Sequence, residues 1–442
     1  DSLNTARVVT ESAADLVIRA RAYDRAEKRD SARMLYEVAA KRLPQISDWL
    51  NLRAAGVTGS KSERQSYYSR VKSDVARERI GWTEAFALER FGDLDDAAAK
   101  FRSVGGYTGY FRLKLARAAD SAAKKSVGVE MLQWISKAPA SDMLRDVIDL
   151  FDKTFPQTGP GDDLTIARAA WRAGVSKRTV AAYSKAVKAG LGSDADHFNY
   201  GLALARTKSH AAAIAEFNKV RSPTGLAAAA QYQRARSLIA AGNTSQARTV
   251  LRSITTQFPG DTSSASALML LADLATDEQR DDNARSALTS VVQRFPRSRH
   301  APTALYRSGL ITYLNGKMRQ AAATFDSVSK LYPDADDASA ARYWSGRAYA
   351  SLGDTASSRL RWRETIEKEP STYYAVVAAK RLGTSIVPSS SGKDIYPSIP
   401  EVDAARTRVA MLRDVGMDVE MKFEWDDLYE KATQSPDRMV AT

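Results

Sequence analysis

The 442-residue sequence contains no cysteine and only three histidines, His197, His210 and His300. The first absence excludes thiol nucleophiles, zinc–thiolate sites and disulfide frameworks, and it fits a reducing or an oxidising compartment equally. The histidines lie far apart in sequence. Neither a histidine-built metal site nor a Ser-His-Asp triad is expected, although a site made of carboxylates alone stays open. No stretch reaches the roughly 18 consecutive apolar residues that a membrane-spanning helix needs. Glycine (24) and proline (14) are sparse and alanine is abundant, which is helical composition. The chain opens at Asp1 with neither methionine nor a signal peptide, as a processed form or an excerpt would.

Charge is unbalanced but dispersed. Lysine and arginine total 65 against 52 acidic residues, a formal charge of +13, with no basic run or tail. A basic soluble helical surface explains this plainly. Attraction to a polyanion, whether nucleic acid, anionic lipid or an acidic cell-wall polymer, is the functional alternative.

What the sequence does hold is a repeat. Pro259, Pro296, Pro333 and Pro370 stand 37 residues apart, and Phe258, Phe295 and Tyr332 precede the first three. Ala247, Ala284 and Ala321 keep the same interval, as do Ala235, Ala272, Gly309 and Gly346. Between Arg280 and Phe295, Ala284, Ala287, Leu288, Val291, Val292 and Phe295 form one stripe of a 3.6-residue helix. Proline then closes each such helix, because it cannot continue one. A short helical pair cannot bury its apolar face alone, so repetition at this length predicts a stack of helix pairs. The small residues at Ala235, Ala272, Gly309 and Gly346 predict close approach of two helix axes.

Gly309, Ala321, Phe325 and Pro333 resemble the tetratricopeptide pattern of small residue, second-helix alanine, aromatic and terminal proline. The unit here is 37 residues rather than the usual 34. Upstream, Phe198, Gly201 and Ala213 match Tyr232, Ala235 and Ala247 at 34. The expected fold is therefore an all-α, superhelical α-solenoid of tetratricopeptide-like pairs over residues 1–385, most regular at about 195–370. Tyr23 to Leu43, Trp82 to Phe101 and Thr165 to Leu191 each read as a helix pair or part of one. Pro156 to Gly161 reads as a loop within the array. A Pro/Ser-rich connection follows at 386–400, and residues 401–442 return to helical periodicity as a linker domain.

The stretch from Ala341 to Gly383 narrows the field. Ser371, Thr372, Tyr373 and Tyr374, leading to Ala378, Ala379, Arg381, Leu382 and Gly383, resemble the helix that ends the superhelical domain of soluble lytic transglycosylases. Arg408 to Leu428, with Glu424-Trp425-Asp426-Asp427-Leu428, is similar to the linker domain before the catalytic domain of that family. The resemblance implies a periplasmic protein acting on peptidoglycan, a ring-like superhelical body, and a parent enzyme that cleaves MurNAc–GlcNAc β-1,4 bonds to 1,6-anhydromuramoyl products. Periodicity itself leaves ring closure open. The family's catalytic glutamate sits in a Glu-Ser-x-Phe-x-Pro-like helix that this sequence lacks; Glu11-Ser12 is its only echo. The resemblance thus implies a scaffold and substrate-positioning portion with no catalytic residue, cofactor or metal of its own, the catalytic domain being expected after Thr442.

Contacts to glycan strands or cell-wall proteins are expected at Tyr343, Trp344, Arg361, Tyr373, Tyr374 and Arg381. Adjacent Tyr343 and Trp344 cannot both point inward on one helix, so one is free to line a binding surface. At least one of Tyr373 and Tyr374 reads as core. Trp362 stands where earlier repeats have Leu251, Leu288 and Phe325, and reads as an enlarged core position. Arg359, Arg361 and Arg363 can present a basic stripe, although a solvated helix face is the plainer reading. A cell-envelope tetratricopeptide adaptor with no enzymatic parent is the alternative. An RNA-reading repeat is disfavoured, because its paired polar positions are apolar or small here.

Overall fold

The computed structural model describes residues 11–221, 223–384, 398–435 and 439. Its helices are α1 (Ala13–Arg25), α2 (Arg29–Arg42), α3 (Ser47–Gly56), α4 (Lys61–Tyr68), α5 (Asp74–Arg77), α6 (Ile80–Arg90), α7 (Leu94–Ser103), α8 (Tyr107–Arg117), α9 (Ser121–Lys137) and α10 (Asp142–Thr154). The regular repeats follow as α11 (Pro160–Arg172), α12 (Ser176–Lys188), α13 (Asp194–Arg206), α14 (His210–Phe217), α15 (Thr224–Ala240), α16 (Thr244–Gln257), α17 (Thr262–Asp277) and α18 (Asp281–Arg294). Then come α19 (Ala301–Leu314), α20 (Met318–Leu331), α21 (Ala338–Ser351), α22 (Thr355–Lys368), α23 (Tyr373–Leu382), α24 (Pro400–Asp414) and α25 (Asp418–Ala432). No strand occurs among the described residues. The architecture is an all-α solenoid of antiparallel helix pairs. Residues 386–397 of the expected Pro/Ser-rich connection lie outside the described residues.

Two compact units emerge, residues 158–392 and residues 1–157 together with 393–442. Their division falls within Pro156–Gly161, the stretch read from sequence as a loop inside the array. Pro160 there occupies the first turn of α11, where its missing N–H costs no hydrogen bond.

In the unit of residues 158–392, the punctuation of each pair is local. The turn between first and second helix uses a left-handed residue: Gly174, Gly242, Gly316 and Gly353 have φ of 75°, 81°, 75° and 78°. Lys208 and Gln279 occupy the same place with φ of 64° and 59°, where a Cβ is strained. Gln279→Gly is accordingly expected to raise stability by about 1 kcal/mol, seen as a higher thermal midpoint; an unchanged or lower midpoint would contradict it.

Packing between the helices of a pair follows a size rule. The small residue of the first helix and the large residue of the second lie 16 positions apart, as in Gly201/Phe217, Ala235/Leu251, Ala272/Leu288, Gly309/Phe325 and Gly346/Trp362. Where the second helix offers a ring in this series, the first offers glycine. A Cβ on Gly201, Gly309 or Gly346 would come within 2.6, 2.7 or 2.5 Å of the facing ring. Trp362 is buried as expected, and its indole N–H donates to the Tyr343 carbonyl at 3.3 Å.

Polar groups also stitch neighbouring helices. Asp196, buried in the first turn of α13, forms a capping box with Ser193 and accepts both Nε and Nη2 of Arg168 at 2.8 and 2.7 Å. Tyr183 donates its hydroxyl to the same carboxylate at 3.1 Å. Burial alone would raise the Asp196 pKa, but these donors outweigh it and hold the carboxyl well below the usual range. Folded Asp196 therefore binds a proton more weakly than unfolded Asp196. Its stabilisation is present in full above about pH 4 and is lost as the pH falls toward the depressed value. Asp196→Asn is expected to flatten the acid limb of a stability–pH profile; an unchanged limb would refute that role.

The other unit gathers residues from distant parts of the chain. Leu16, Val17, Ala20, Leu35, Tyr36, Ile46, Trp49 and Leu50 share one buried core with Leu412, Val415 and Met417. The region read from sequence as a separate linker domain thus packs, as α24 and α25, on α1 to α5. Arg21 donates to the Val415 carbonyl at 2.6 Å. Buried Glu424 accepts the Trp49 indole N–H at 2.8 Å and Arg408 Nε at 2.9 Å. Glu11 and Ser12 have structural roles: Glu11 pairs with Arg19 at 2.6 Å, and the Ser12 hydroxyl caps α1 by accepting the Asp15 N–H.

Candidate functional site

The 37-residue register aligns one position on successive first helices: Tyr232 on α15, Met269 on α17, Tyr306 on α19 and Tyr343 on α21. These residues lie three before the small residue, on the side where aromatic bulk meets the second helix. Tyr306 packs its ring 5.9 Å from Phe325. Burial pushes the Tyr306 phenol far above its ordinary range, and hydrogen bonding to Tyr374 adds to that. Tyr232, Met269 and Tyr306 are half-buried along this column, and Tyr343 is buried.

From Tyr343 an aromatic ladder extends across α19, α21 and α23. Tyr313 meets Trp344 edge-on at 5.2 Å, and Trp344 meets Tyr343 edge-on at 6.0 Å. Tyr343 lies 5.6 Å from Tyr374, which is 5.4 Å from Tyr373. The Arg347 guanidinium covers the Trp344 ring at 4.8 Å and the Tyr313 ring at 5.8 Å, a cation–π arrangement. The ladder is most buried at its middle and opens at both ends. Tyr343 is 7% exposed, Trp344, Tyr313 and Tyr374 are half-buried, and Tyr373 is 73% exposed.

The structure therefore brings together four of the six residues singled out from sequence: Tyr343, Trp344, Tyr373 and Tyr374. Of the adjacent pair on α21, Tyr343 points inward and Trp344 reaches across to α19. Tyr374 packs against the core formed by Tyr343, Trp362 and Ala378. Arg381 is exposed near the end of α23.

Arg361 is engaged elsewhere. Its Nε and Nη2 donate to both oxygens of Asp326 at 2.8 and 3.0 Å, and Nη1 donates to Glu364 at 2.9 Å. The hydrogen bonds to Asp326 raise its pKa further, against the effect of burial. Ser345 and Tyr349 also donate to Asp326, at 2.6 and 2.9 Å. This network ties α20, α21 and α22 together and occupies the arginine.

Sequence reasoning missed Tyr306, Tyr313 and Arg347. For Tyr306 the signal was present, since it lies 37 residues before Tyr343. Tyr313 and Arg347 meet only through side-chain reach between two helices, which no periodicity records.

Chemically, the face offers flat apolar rings beside cations. No cluster of three or more histidine, aspartate or glutamate side chains is placed to hold a metal among the described residues. Nor is any helix of the described residues long and apolar enough to cross a membrane.

Residues 164–230, 232–299 and 306–366 match the tetratricopeptide repeat model. Among solved structures, the C-terminal part of a tetratricopeptide repeat-containing protein from Cytophaga hutchinsonii is similar over 63% of this chain and 98% of the solved part, at 13% identity and a TM-score of 0.39. Yeast Tom70 is similar over 86% of this chain and 89% of its own, at 12% identity and a TM-score of 0.34. YrrB, described as a tetratricopeptide protein with an unusual peptide-binding site, covers 46% of this chain and 99% of its own, at 17% identity and a TM-score of 0.33. No curated protein sequence matches the chain.

Proposed function

Because the chain is a tetratricopeptide-like helical repeat protein, we propose that it works as a cell-envelope docking scaffold whose aromatic ladder holds a peptide or protein partner. The observation that carries this reading is the ladder itself. Rings from three successive first helices touch in one series, with Arg347 over Trp344 at one end and exposed Tyr373 at the other. Aromatic and arginine side chains are the groups that dominate binding energy at protein interfaces. The fold is also suited to protein–protein interaction, and YrrB carries a peptide site on such a scaffold. A photo-crosslinking residue placed at Tyr373 should yield a discrete protein adduct in cells, lost with Trp344→Ala. The same residue placed at exposed Arg359 should not. Equal adducts from both positions, or none, would refute the assignment.

A second reading is favoured by the order of elements at the end of the array. The Tyr373–Tyr374 helix stops at Gly383 with a left-handed φ of 70°, and the α24–α25 pair follows. This is the succession that the resemblance to soluble lytic transglycosylases requires. On that reading the chain is the periplasmic, non-catalytic portion of such an enzyme, positioning glycan strands. Sugar rings would stack on Trp344 and Tyr373, with a lactyl carboxylate near Arg347 or Arg381. The purified chain should then co-sediment with peptidoglycan sacculi and release no anhydromuropeptides. Binding unaffected by Trp344→Ala, or released anhydromuropeptides, would overturn it.

A further inference from the structure

We infer that the unit containing α1 to α10, α24 and α25 has a binding site of its own, for an extended peptide segment carrying acidic groups beside apolar side chains. The site is a cleft of about 1110 Å³ bounded by α1, α3, α6 and α25.

Its walls divide into committed and uncommitted groups. On one side Trp49 stacks on Phe423 at 6.1 Å, and the Arg79 guanidinium covers the Phe423 ring at 4.1 Å. On the opposite side Trp82 stacks on Phe86 at 6.4 Å. Phe86 and Val419 are 56% and 60% exposed and present apolar surface to the opening. Among the charged lining residues, Arg53 pairs with Glu420 at 2.5 Å and Arg90 with Asp24 at 2.9 Å. Glu89 is held by Arg112 at 2.6 Å.

Arg29 lies 4.0 Å from Glu27, and the lining as a whole holds five arginines against four carboxylates, so one arginine is in excess. Arg25 is exposed and makes no ion pair or hydrogen bond among the described residues. Arg79 lies on the Phe423 ring, its one paired carboxylate is Glu78, 3.7 Å away, and its buried Nε lacks a hydrogen-bond partner. The unmet requirement of the cleft is thus a carboxylate beside an apolar side chain. The carboxylates already lining it argue against a uniform polyanion, which they would repel at close range. A peptide alternating acidic and apolar residues meets both conditions, its apolar groups on Phe86 and Val419 and its acid at Arg25 and Arg79. The site shares no residue with the aromatic ladder, so it stands or falls apart from the proposed function.

The test uses the full chain and fluorescein-labelled decapeptides of alternating glutamate with leucine or phenylalanine, followed by fluorescence anisotropy. A lysine-for-glutamate counterpart should bind at least about tenfold more weakly. Arg25→Glu and Val419→Asp, both at exposed positions, should each weaken the acidic peptide by about fivefold or more. Arg359→Glu and Trp344→Ala should leave that binding unchanged, with thermal melts checking that each variant folds. The inference fails if neither peptide binds, if both bind alike, or if Arg25→Glu and Val419→Asp are without effect. Displacement of the peptide by N-acetylchitohexaose at lower concentration than unlabelled peptide would also overturn it, assigning the cleft to glycan.

Discussion

Gly309→Ala is expected to destabilise the repeat array by about 1–3 kcal/mol, and Phe325→Leu added to it to restore most of the loss. The new methyl group would sit 2.7 Å from the Phe325 ring, which is fully buried and cannot swing aside. Thirty-seven residues earlier the chain solves the same contact with Ala272 and Leu288, both fully buried in one cluster. The double variant copies that solution, so the two changes should be strongly non-additive in a denaturation cycle. Additive losses would show that the ring and the glycine are not coupled.

Glu369→Phe should cost about 3–5 kcal/mol alone, and adding Arg342→Leu should bring stability back to within about 1 kcal/mol of the starting protein. Arg342 is 2% exposed and donates to Glu369 at 2.8 Å and to the Pro333 carbonyl at 3.2 Å. Removing the carboxylate leaves a buried guanidinium without its counter-ion. Yet the positions 37 and 74 residues before Arg342 are Leu305 and Leu268, and those before Glu369 are Tyr332 and Phe295. Leu268 and Phe295 share an apolar cluster, so this place in the repeat accepts a neutral pair. Urea denaturation of the singles and the double decides it. A double variant as unstable as the single one would mean the ion pair is needed for more than mutual neutralisation.

These two cases also mark how far the sequence was legible. The helices, the proline stops and the close approaches at Gly309 and Gly346 were readable because repetition shows each feature several times. Arg361 was not. Its partner Asp326 lies on another helix, 35 residues earlier, and the equivalent of Asp326 one repeat back is Thr289, so no periodic signal marks the network. An arginine in such a network looks in sequence like a solvated one. That Tyr343 and Trp344 could not both point inward followed from helical geometry, but which one turned out, and its contacts with Tyr313 and Arg347, depended on reach between helices. The core shared by α1 and α24 was the least visible. Arg21 and Val415 are 394 positions apart, and neither segment repeats the other.

That last feature bears on how the protein is made. Residues 160–382 find their neighbours within a few tens of positions, so helix pairs can settle one after another as they leave the ribosome. Leu16, Val17 and Tyr36 must instead wait until Leu412, Val415 and Met417 have been synthesised before their core is complete. Until those residues are made, α1 and α2 carry an apolar surface whose last partners are still missing.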